Sequence, residues 1–143
     1  MSLPFLEFGK EQRMRPLIYT VMDTATAVST DTALPVGTIQ RRVGCDIVAN
    51  SNSYTLRRPS YYDIDANVVM TAGAAGIATL SINQNGSTIA TTQQTVASGE
   101  TVTLNVKAIA RVFCRSNSTI QLVVNGATVS ESVIGSYVTI REE

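Results

Sequence analysis

Asp63 and Asp65 stand two residues apart, a spacing that puts both side chains on one face of a strand. Two carboxylates so placed could ligate calcium or act on a glycosidic bond. No third acid and no Asn-rich loop follows them, so the pair reads as a solvated strand face. Arg41-Arg42 and Arg57-Arg58 are paired cations. Neighbours on a strand point to opposite faces, so neither pair forms a two-pronged anion clamp, and both read as surface or intersubunit ion-pairing positions. The chain has no histidine, which removes the usual general base, proton shuttle and commonest metal ligand. Cys45 and Cys114 are too few and too far apart for a disulfide framework or a zinc site, and with no imidazole to activate it Cys114 is no thiol nucleophile. Both are expected as buried free thiols. These residues predict no catalytic, metal or cofactor site and no enzyme.

The elements that position them can be read from patterning. At 143 residues the chain fits one domain with a core of its own. Eleven basic and eleven acidic residues cancel, leaving no long-range field to attract nucleic acid or an anionic membrane, so neither partner is expected. Charged residues make up 15%, while Ser and Thr number 31. A polar but uncharged coat suits strands that pack side by side or subunits that meet with few ions to desolvate. The apolar stretch from Leu3 to Phe8 is too short to span a membrane and wrongly ordered for a secretory signal, so synthesis in a cytoplasm is expected.

Residues 101–112 place Val102, Leu104, Val106, Ala108, Ala110 and Val112 on one face. Six matches in succession at period two indicate a half-buried antiparallel strand. The same pattern predicts a strand over 61–70, with Tyr62, Ile64, Ala66, Val68 and Met70 inward; a slip of one residue there would bury two carboxylates. Further strands are expected at 38–43, 46–49, 53–57, 77–83, 87–92, 119–124 and 137–141, with an irregular one near 25–28. Asn85-Gly86 is the strongest hairpin signal, because both residues tolerate positive φ. No ten-residue stretch shows capped helical periodicity. Eight to ten short strands with regular turns indicate an all-β antiparallel sandwich or jelly roll.

Residues 1–22 break this pattern, carrying Phe5, Phe8 and five charged residues without alternation. They read as an extended N-terminal arm, with residues 23–143 as the domain. Leu3, Phe5, Leu6 and Phe8 offer apolar anchors to a partner pocket, with Arg13 and Arg15 placed to meet acidic groups. Tyr61, Val69, Ile77, Ile109 and Val123 fall on the nominally polar side of their strands. Five such residues on successive strands indicate a covered face, which symmetric association would bury.

Taken in order, Tyr61-Tyr-Asp-Ile-Asp-Ala-Asn-Val-Val-Met70, a Gly-rich link, 77–89, a Thr-rich stretch, the strand 101–112, Cys114, 117–119 and Tyr137-Val-Thr-Ile-Arg141 resemble the TNF- and C1q-like jelly-roll domains, particularly those of tailed phages and prophages. The likeness covers about residues 25–141 and rests on order and spacing. It implies a ten-stranded jelly roll forming tight homotrimers, without enzymatic activity. It implies also a virion location, as a capsid decoration or head-fibre protein docked through the arm to the major capsid protein or another virion protein. A receptor- or glycan-binding tip of a tail appendage is the alternative; it needs an aromatic platform, and the loops 84–87 and 97–100 contain no aromatic.

Overall fold

The computed structural model describes residues 15–22, 26–27, 32–113, 117–126, 129–132 and 135–143. Among them are thirteen strands, of which the long ones at the centre of the sandwich, such as 60–72 and 101–112, alternate in burial as the pleat requires. They are β1 (Leu17–Val21), β2 (Thr26–Ala27), β3 (Thr32–Ala33), β4 (Thr38–Val43), β5 (Ile47–Ala49), β6 (Tyr54–Leu56), β7 (Ser60–Ala72), β8 (Gly76–Gln84), β9 (Ser87–Val96), β10 (Thr101–Val112), β11 (Ser118–Gly126), β12 (Val129–Ser132) and β13 (Tyr137–Glu142). All pairings are antiparallel. The larger sheet runs β10–β7–β13–β1–β4, with β12 and β2 continuing beside the far half of β7. The smaller runs β5–β6–β11–β8–β9, with β3 continuing the line of β6 along β11.

Inward residues of both sheets form one core. Tyr62, Ile64, Ala66, Val68 and Met70 of β7 meet Ala78, Leu80 and Ile82 of β8 and Ile120, Leu122 and Val124 of β11, all buried. The alternation expected of β10 holds, with Ala108 only half-buried against the core. One buried polar link ties the layers: the hydroxyls of Thr20 in β1 and Tyr54 in β6 lie 2.7 Å apart. Burial pushes the Tyr54 phenol up to about 12, because its ionised form would be stranded in the core. The Asn85-Gly86 hairpin forms as expected, with φ of 53° and 86°. Gly37 is required by close approach as well as by its positive φ, since a Cβ there would stand 2.5 Å from the carbonyl oxygen of Val21.

Two expectations are corrected. The boundary at residue 22 falls inside the sandwich, because β1 is an interior strand of the larger sheet, paired to both β13 and β4, with Ile18 and Thr20 fully buried. Cys45 is exposed, since it occupies the tight turn between β4 and β5. Cys114 and the arm residues Leu3, Phe5, Leu6, Phe8 and Arg13 lie outside the described residues.

Candidate functional site

The two outer faces of the sandwich differ in chemistry. On the larger sheet, register aligns side chains in rows across β10, β7, β13, β1 and β4. One row reads Ile109, Asp63, Arg141, Leu17, Val43; the next reads Lys107, Asp65, Thr139, Tyr19, Arg41; a third reads Asn105, Asn67, Tyr137, Val21, Thr38. Asp63 and Asp65 therefore stand directly opposite Arg141 and Lys107, cross-strand complements that suit a solvated face. Asn105 donates to Asp65 Oδ1 at 2.9 Å. Among the described residues no three His, Cys, Asp or Glu side chains are grouped to hold a metal ion.

Beside this charged strip lies an apolar one. All three outward positions of β1, Leu17, Tyr19 and Val21, are apolar or aromatic and half-buried, flanked by Val43 and Tyr137. The rings of Tyr19 and Tyr137 lie 6.0 Å apart at 52°. Ile109 is 61% exposed. An outward surface with this much apolar area resembles a half-finished core more than a monomer's skin.

The smaller sheet is different. None of the residues in β3, β5, β6, β8, β9 and β11 is Asp, Glu, Lys or Arg. Its outer face is built largely of hydroxyls and amides, including Thr79, Ser81, Asn83, Thr91, Gln93 and Gln121, with Ser81 and Thr91 hydroxyls 3.2 Å apart. Among the described residues β9 pairs only with β8, which makes it the edge of this sheet, and it lacks the charges and proline that usually guard an edge strand.

The five residues expected on one covered face are divided. Tyr61, Val69 and Ile109 belong to the outer face of the larger sheet, whereas Ile77 and Val123 lie on that of the smaller. The reason is topological: β7 and β10 pair in one sheet while β8 and β11 pair in the other, which alternation within a strand does not reveal. Arg15 is exposed and lines an open groove with Leu17, Asp63, Arg141 and Glu143.

No family model and no curated protein matches the sequence. Solved structures do. Murine APRIL at pH 5.0 superposes with a TM-score of 0.69 at 12% identity, covering 91% of this chain and all of that one. The same protein at pH 8.5 gives 0.60 over the same coverage. The Eiger TNF of S. frugiperda gives 0.66 at 12% identity, over 92% of this chain and 94% of that one. The fold is a TNF-like jelly roll. At such identities the likeness fixes the path of the chain and nothing about what it binds.

Sequence reading missed a further cluster. β7 and β10 bring Tyr61 directly opposite Arg111, with Phe113 two residues on. The guanidinium carbon of Arg111 lies 4.5 Å from the centre of the Phe113 ring and 5.5 Å from that of Tyr61. Phe113 is 60% and Tyr61 48% exposed. The aromatic platform absent from the loops thus stands at strand ends. Its signal in the sequence is the outward parity that 111 has on β10 and 61 on β7, continued by 113 just past the end of β10.

At the same end of the sandwich, Arg58 Nε pairs with Glu142 Oε2 at 3.1 Å and Tyr62 donates its hydroxyl to the Arg58 carbonyl at 2.6 Å. Desolvation first, and the nearby Glu142 carboxylate second, push the Tyr62 phenol up to about 12. This clasp fixes the C-terminal strand against the β6–β7 loop that precedes Tyr61.

Proposed function

We propose that the chain is a non-enzymatic structural module that assembles as a homotrimer and sits on a virion, docked through its N-terminal residues to the major capsid protein or another virion component. The observation that carries the assembly is the apolar strip of Leu17, Tyr19, Val21, Val43 and Tyr137, half-buried on the outer face of the larger sheet. Its complement is the charge-free β9 edge with Ile89 exposed. A face and an edge are unlike patches, and contacts between unlike patches build rings where the rotation closes, a trimer among them, rather than two-fold pairs. The virion location and the arm's role rest on the resemblance to phage jelly rolls, together with the aromatic residues at positions 5 and 8.

The test uses two half-buried residues on opposite faces. Tyr19→Asp places a charge in the middle of the larger sheet's apolar strip and is expected to convert the assembly to monomer by size-exclusion chromatography with light scattering. Val48→Asp, in β5 at the edge of the smaller sheet opposite β9, is expected to leave the mass unchanged. A wild-type protein that stays monomeric at high concentration, or the reverse response of the two variants, overturns the assignment. A second reading, the receptor- or glycan-binding tip of a tail appendage, is favoured by one observation, the exposed Tyr61 and Phe113 around Arg111.

A further inference from the structure

The Arg111 guanidinium lies over the Phe113 ring at 4.5 Å and over the Tyr61 ring at 5.5 Å, with no carboxylate pairing it among the described residues. A guanidinium stacked over rings keeps its N–H donors on its rim, in the plane of the group, and a planar fork of donors matches a carboxylate two-for-two. The cluster lines an open groove of about 500 Å³ with Pro59, Ser60 and Val112, and no acidic side chain is among the lining residues. That volume lies in the range of small-molecule sites. Exposed Tyr and Phe rings beside it suit the apolar C–H face of a pyranose ring.

We propose that Tyr61, Arg111 and Phe113 form a binding site for a carboxylate-bearing sugar of the uronic-acid class. The carboxylate takes the rim of the Arg111 guanidinium, and the sugar face packs against the exposed rings. A phosphodiester would meet the charge and leave the aromatic surface unused; an uncharged sugar would do the reverse. The inference rests on the tip reading and deepens it by naming a ligand class; it depends on neither the trimer nor docking through the N-terminal residues.

The experiment titrates the intact protein with glucuronate, glucose, acetate and inorganic phosphate, following the Tyr and Phe ring signals by NMR. Glucuronate is expected to saturate in the millimolar range, with glucose, acetate and phosphate each roughly tenfold weaker or more. Arg111→Gln should lose at least about tenfold in glucuronate affinity, and Phe113→Leu severalfold, both at unchanged melting temperature and mass. Acetate or phosphate matching glucuronate reduces the site to a bare charge contact and overturns the proposal, as does failure of glucuronate to saturate. An Arg111→Gln protein that loses its assembly identifies the cluster as an interface anchor and likewise overturns it. Host-cell binding undiminished in Arg111→Gln would overturn the ligand assignment and leave the tip reading standing.

Discussion

The Thr20–Tyr54 pair is the polar bridge described across the core, and its chemistry sets an alkaline limit on stability. The Tyr54 phenol titrates at about 12 when folded and at 10.0 when free, so the fold favours the neutral form. Stability from this group is complete below pH 10 and is lost as pH rises from 10 towards 12. Tyr62, raised in the same direction, adds to the loss. Tyr54→Phe is expected to cost about 1–3 kcal/mol at neutral pH, because it strands the buried Thr20 hydroxyl. It should also flatten the alkaline decline in the urea midpoint. An alkaline decline as steep in the variant as in the wild type would refute the role of Tyr54. Other residue-scale features were not legible in the sequence. Tyr61 and Arg111 are fifty positions apart, and only the β7–β10 register makes them neighbours.

Most strands were legible because their inward sets are wholly apolar and their outward sets polar, as in Tyr62 to Met70 against Asp63, Asp65 and Asn67. β1 lacked that contrast. Its inward residues Ile18 and Thr20 are less apolar as a set than its outward Leu17, Tyr19 and Val21, so alternation conveyed no direction. The same inversion marks the outer strip, which makes the missed strand and the unrecognised surface one phenomenon. At the β8–β9 hairpin, where turn chemistry was decisive, a direct check is available. Gly86 has φ +86° and open space around it, so Gly86→Ala should cost roughly 1–2 kcal/mol through backbone conformation alone. The urea midpoint should fall with an unchanged slope. No change in the midpoint would mean that the turn readily adopts another geometry.

For the whole molecule, the placement of β1 separates folding from docking. Deleting residues 2–14 spares every described strand and should leave a folded trimer that no longer joins particles. Deleting residues 2–22 removes an interior strand and should abolish cooperative unfolding by circular dichroism. Particles that incorporate the shorter deletion at wild-type levels would dismiss the anchoring role. Architecture was readable from order and alternation, whereas the division of outward residues between two faces required knowledge of which strands pair.

The smaller sheet's outward side chains include no ionisable group within its strands. Such a flank has no protonation state to alter and no ion atmosphere to shed. Neighbouring copies crowded together would feel little mutual repulsion across it, and whatever touches it meets the same surface in acid, in alkali and in brine.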